Sequence, residues 1–170
     1  MRATQFPKFF VVAAVLGLAA SVSGCAQIQA RVMGASIATP SNGAESALVA
    51  GINNFRGAHG LPPLAVHPTL VDKARVWSGY MANGGCGVGG GGVANICHSH
   101  LSDGINVSWS FLGENVGMVS PTSNVSGMES AFEHSPPHAE NMLNSQINYV
   151  GVGVAYVGSD MYVTEEFMAG

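Results

Sequence analysis

Six histidines, ten acidic residues and three cysteines are the side chains in this 170-residue sequence best equipped for chemistry. Neutral imidazoles bind divalent metals and act as general bases, and a carboxylate beside one fixes its orientation. His98 and His100 are two residues apart, which on a strand turns both rings to one side. His100 is therefore a candidate extra ligand of any site built on His98, although such a neighbour is more often simply exposed. His59, His67 and His134 are expected on the surface or in loops. A nucleophile is less legible. Ser99, Ser102 and Ser135 lie near the histidines, but none sits in a Gly-x-Ser-x-Gly elbow. The glycine-rich stretch 84–92 lacks the Lys and Ser/Thr of a phosphate loop.

The N-terminus reads as a targeting segment. Arg2 and Lys8 precede the uncharged, mostly apolar run from Phe9 to Val22. That run has the length of a signal-peptide core and is short for a membrane span. Val22-Ser23-Gly24-Cys25 then places small residues before a cysteine, as in a bacterial lipobox. The expectation is a lipoprotein-type leader over 1–24, lipidation at Cys25, a polar tether over 25–43 and one domain over 44–170. The partner is then the membrane, reached through a lipid anchor, and the location is the outward face of the cell membrane or outside the cell. The alternative is an ordinary signal peptide cut nearby, with Cys25 incidental. Export implies oxidising conditions, where Cys86 and Cys97 are expected to pair across their flexible Gly-rich loop. A metal site using both cysteines and a nearby His stands as the other reading, although the spacing matches no zinc pattern.

Composition excludes some partners. Only 9% of residues are charged and 47% are hydrophobic, which argues against a disordered chain and against nucleic-acid binding. The net charge is -4, and loss of Arg2 and Lys8 with the leader makes it about -6. Such a chain is not drawn to anionic polymers or lipid headgroups by charge.

The periodicities outline the elements. Leu48, Ile52 and Phe55 fall on one face of a helix that Gly57, Gly60 and Pro62-Pro63 end. Pro68 opens a second helix at its first turn, with Leu70, Ala74, Trp77 and Met81 as its buried face. A third helix is predicted over Val125–His134, with Val125, Met128 and Phe132 inward. Pro136-Pro137 break it and launch a short helical segment from His138 to Leu143. Val150, Val152 and Val154 alternate with glycines, and Gly158-Ser159-Asp160 turns the chain into Met161–Phe167, a hairpin. A further strand is expected around Val107–Val119. Helices first and strands last point to a sheet packed between helices.

Five segments in this order resemble the CAP superfamily of cysteine-rich secretory, antigen 5 and pathogenesis-related proteins. They are Asn53-Asn54-Phe55-Arg56 with His59-Gly60-Leu61-Pro62-Pro63-Leu64; His98-Ser99; Gly113-Glu114-Asn115; Ser135-Pro136-Pro137-His138 with Asn141-Met142-Leu143; and Val150-Gly151-Val152-Gly153-Val154. The resemblance covers about residues 44–168. It implies an α+β fold, a three-layer α/β/α sandwich with a mainly antiparallel central sheet. It also implies a cleft of two histidines and two acids. Carried over by position, these are His98, Glu114 and His138, with Asn115 and Ser135 in support.

The second acid does not carry over. Phe132 replaces the helical Trp of plant members, and Ser135 stands where their Glu follows it. Glu133, two residues away, lies on roughly the opposite helix face. The site is thus expected to be a triad that can take a divalent cation such as zinc, with Glu114 as third ligand or as orienter. Purely structural hydrogen bonding by the same residues is the competing reading. Functionally, the resemblance favours an envelope binding or interaction module, with an apolar small molecule as ligand. The alternative is a metal-dependent hydrolase acting on an envelope peptide or ester.

Overall fold

The computed structural model describes residues 43–170. The leader, the lipidation site at Cys25 and all but the last residue of the expected tether lie outside the described residues. In chain order the elements are α1 (Gly43–Ala58), β1 (Ala65–Val66), α2 (Pro68–Ala82), a single 3-10 turn at Gly90–Gly92, β2 (Phe111–Val119), α3 (Val125–Glu133), α4 (Pro136–Leu143), β3 (Tyr149–Val157) and β4 (Asp160–Ala169). Among the described residues no helix is long and apolar enough to cross a membrane.

The sheet has the order β1-β3-β4-β2. β3, β4 and β2 are antiparallel, and the two-residue β1 adds a parallel edge on β3. Strand alternation divides the interior into two layers. Val150, Val152, Met161, Val163 and Phe167 face α1, α3 and α4, meeting Leu48, Ile52, Met128, Phe132 and Met142. The opposite face carries Val116 and Tyr162 against Met81, and Leu112 and Met168 against Leu70, all beneath α2. This is the expected α/β/α sandwich.

Two glycines let α2 lie directly on the sheet. A Cβ on Gly151 would stand 2.2 Å from the Leu70 carbonyl carbon, and one on Gly153 would stand 2.2 Å from backbone atoms of Ala74 and Arg75. The Gly-Val-Gly alternation therefore buries valine on one face and seats a helix on the other.

Several boundaries differ from the sequence reading. Pro136 and Pro137 occupy the first turn of α4 instead of preceding it; their missing N–H groups have no intrahelical partner there in any case. The strand expected from Val107 begins only at Phe111. Residues 98–100 are not in a strand, so alternation does not set the directions of His98 and His100. On α2, Trp77 is only half-buried, while Lys73 and Ser78 are buried.

Candidate functional site

β2 is an edge strand of the sheet, at the end opposite β1. Its Glu114 pairs across to Glu166 and faces α2, whereas the adjacent Asn115 pairs across to Glu165 and faces α3 and α4. Chain segments from both faces can therefore meet over this edge.

On the α2 side, the loop carrying His98 is pinned by a disulfide between Cys86 and Cys97, whose Cα atoms are 5.8 Å apart. The Trp77 indole N–H also donates to the Cys97 carbonyl at 2.8 Å. The buried Glu114 Oε1 takes the His98 Nδ1 hydrogen bond at 2.8 Å and the Ser99 backbone N–H at 2.9 Å. The His98 side chain is nevertheless 61% exposed. The carboxylate thus fixes the ring, and the ring's Nε2 edge is not engaged.

On the other side, Ser135 precedes α4 and places its hydroxyl 2.8 Å from His138 Nδ1. The serine at the missing acid's position therefore still orients a histidine, but without charge. Burial lowers the His138 pKa from its ordinary value, and the nearby His98 lowers it further. Both rings use Nδ1 for a partner within the protein. Asn115 holds this half in place: its Nδ2 donates to the His138 carbonyl at 3.3 Å and to Glu165 Oε2 at 3.0 Å. Asn141 of α4 donates in turn to the Glu114 carbonyl at 3.2 Å and to Asn115 Oδ1 at 2.9 Å.

His100 contributes its backbone: its carbonyl accepts from Lys73 Nζ at 3.2 Å, and its side chain is exposed. His59 and His134 are exposed and bond carbonyls on their own helices; His67 is half-buried at the entry to α2. Among the described residues no group of three or more His, Cys, Asp or Glu side chains is arranged to hold a metal ion. His98 and His138 each direct Nδ1 to a partner within the protein, Glu114 in one case and Ser135 in the other.

The sequence reading passed over four buried ionisable residues. Lys73 Nζ lies 3.1 Å from Glu166 Oε1, an ion pair by distance that is not aligned as a hydrogen bond. It donates to Ser99 Oγ at 2.5 Å. Burial pushes the Glu166 carboxyl up to about 9, with Glu114 adding to the rise and Lys73 opposing it. Behind His138, burial pushes Glu129 up to about 8, helped by Glu133. Burial likewise raises Glu165 well above the carboxylate range, with Glu129 adding to the rise and Asn115 opposing it. Their places in the pattern are unusual for charged residues: Lys73 lies three residues from Leu70 and four from Trp77 on the apolar side of α2. Glu165 and Glu166 interrupt an apolar strand.

The fold recurs in solved structures. A cysteine-rich secretory protein of Staphylococcus aureus matches with TM-score 0.56 and 19% identity, over 77% of this chain and 41% of that one. An outer surface protein of Borrelia burgdorferi matches with TM-score 0.61 and 14% identity, over 76% and 95%. The crystal structure of NaASP2 with Zn2+ matches with TM-score 0.52 and 16% identity, over 75% and 82%. This chain therefore spans less than half the length of the S. aureus protein. No curated protein matches it in sequence. Residues 49–167, which include β2, α4 and every residue of the His98–Glu114–His138 site, match the model of the cysteine-rich secretory protein family, and the chain belongs to that CAP family.

Proposed function

We propose that this protein is an envelope-tethered binding module whose edge cleft takes a divalent cation such as zinc between His98 and His138. The observation that carries the reading is the matched anchoring of the two rings. Each is fixed through Nδ1, by Glu114 in one case and Ser135 in the other, which leaves both Nε2 atoms for a ligand. A carboxylate behind a histidine is the usual support of a metal-ligating ring. The depressed pKa of His138 favours the neutral, ligating form at neutral pH. Two imidazoles suit zinc better than calcium, which prefers oxygen ligands. The remaining positions would go to water or to a group from a partner, so affinity is modest.

The hydroxyl at Ser135 in place of a second acid favours binding over hydrolysis at this cleft, because no separate acid and base are present there. Tethering rests on the Val22–Cys25 sequence. Its test is intact-mass measurement of membrane-fraction protein, which should start at Cys25 with added acyl mass; a soluble product starting elsewhere removes the tether. Calorimetric titration with zinc at pH 7 tests the cleft. Binding should be lost in the His98→Ala, His138→Ala double variant, and weakened as pH falls through the histidine range. Equal binding by wild type and double variant refutes the cleft as the zinc site.

A further inference from the structure

A second site lies beside the cleft, between α2 and the loop that follows Ser99. It is a groove of about 460 Å³ whose lining includes Lys73, Val76, Trp77, Ser99 and Asp103. At its floor three groups stand in series. Ser99 Oγ is 2.5 Å from Lys73 Nζ, and Lys73 Nζ is 3.1 Å from Glu166 Oε1. Ser99 is half-buried and borders both the groove and the cleft around Glu114 and Asn141. Lys73 is fixed from the other side by the His100 carbonyl. A hydroxyl within hydrogen-bond reach of a base, itself oriented by a third group, is the arrangement that activates a serine.

We propose that Ser99 is a nucleophile, Lys73 its general base and Glu166 the residue that positions Lys73, together forming an acyl-transfer site that needs no metal. The groove sets the substrate class. Val76 and Trp77 supply an apolar wall for an acyl chain, while Asp72 and Asp103 at the rim disfavour an anionic substrate. The fitting substrate is an uncharged or cationic ester with a short apolar acyl group.

The step balances as follows. Ser99 Oγ bonds to the ester carbonyl carbon while its proton passes to the Lys73 amine. The bond from that carbon to the leaving oxygen then breaks, and the alkoxide takes the proton from Lys73 to leave as an alcohol. Water, deprotonated by the same amine, attacks the acyl-Ser99 carbon; the carboxylic acid leaves and Ser99 regains its proton. Lys73 acts in its amine form, the form a general base requires, with Glu166 Oε1 3.1 Å from its nitrogen.

The proposed reaction uses no metal, so its test is run without one. The full mature chain is treated with a fluorophosphonate, which reports an activated serine: Oγ bonds to phosphorus and fluoride leaves. Peptide mapping should place one adduct on Ser99, absent in Ser99→Ala and retained in Ser102→Ala. Lys73→Arg keeps hydrogen-bond donors against Glu166 but offers no lone pair. It should slow labelling, and the hydrolysis of p-nitrophenyl butyrate, by about a hundredfold or more, the usual worth of a general base. If Lys73→Arg does not fold, the double variant Lys73→Met, Glu166→Gln removes both members of the buried pair and should show the same loss. No adduct on the wild type, an adduct elsewhere, or undiminished labelling of a folded Lys73 variant overturns the proposal.

Discussion

Raising the pH should destabilise this domain from a direction unusual for a small acidic protein. Glu129 on α3 is buried, and neither of its carboxyl oxygens has a hydrogen-bond partner. Its carboxyl packs where α1 comes closest: a Cβ on Gly51 would sit 2.6–2.8 Å from it. The charged groups that act on it are Glu133 on its own helix and Glu165 on β4, both acidic. Its pKa is accordingly raised from 4.5 to about 8. The folded state then holds a proton that the unfolded state has released, so stability falls as pH climbs from 4.5 through 8.

One pKa unit is worth about 1.4 kcal/mol. Between pH 6 and pH 8 the unfolded carboxyl is ionised throughout, while the folded one goes from protonated to about half ionised. Glu129 alone should thus remove about 2 kcal/mol across that interval, or about 8 °C of melting temperature. His138 works in the opposite sense. Its depressed pKa lowers stability as pH drops below the ordinary histidine value of 6.5, so at pH 6 it offsets part of the Glu129 effect. Glu129→Gln removes the titration without changing the shape, and it also relieves the repulsion felt by Glu165. Urea midpoints at pH 6 and pH 8 should diverge in the wild type and move together by about 2 kcal/mol in the variant. A wild type as stable at pH 8 as at pH 6, or a variant with an unchanged slope, refutes this account.

Three further outcomes follow from particular contacts. Gly153→Ala puts a methyl 2.2 Å from the α2 backbone, where carbon contacts need about 3.5 Å; the helix must retreat, at a cost of about 1–3 kcal/mol in urea unfolding. Reducing the Cys86–Cys97 bridge, which closes an 11-residue separation, should cost about 3 kcal/mol in the chain-entropy model, measured as a shift in unfolding midpoint with and without reductant. Ser135→Glu places a carboxylate at His138 Nδ1 in place of a hydroxyl, so the His138 pKa should rise in an NMR titration and zinc should bind more tightly at pH 7.

The apolar periodicities were enough to locate the helices of the described residues and the closing hairpin, because burial imposes its period on Leu48, Ile52, Leu70, Met128 and Val150 whatever the neighbours do. The two-residue β1 carries no period and was not anticipated. Pairing of Cys86 with Cys97 was legible from export context and the loop between them. The charged interior was not. Lys73, Glu129, Glu165 and Glu166 are each buried through contacts with residues distant in sequence, and a charged residue read alone defaults to the surface. For His100 the two-residue rule does not apply, because it holds only on a strand and Ser99 sits in a loop anchored to Glu114 and Lys73.

The run Gly113-Glu114-Asn115 shows how a short motif can carry a site whose parts come from both faces of a sheet. On an edge strand, consecutive residues address opposite layers. Glu114 reaches the α2 side and fixes His98; Asn115 reaches the other side and holds the His138 carbonyl. Gly113 shares the Asn115 face, and there a Cβ would stand 3.0 Å from the Asn141 side-chain oxygen. Asn141 is the residue that ties α4 to both the Glu114 carbonyl and Asn115. A side chain at 113 would therefore act on the cleft through α4, moving His138 while leaving His98 on Glu114. The spacing between the two imidazoles is set by three adjacent backbone positions, and a one-residue slip of β2 against β4 would exchange the faces of Glu114 and Asn115 and dismantle both halves of the site together.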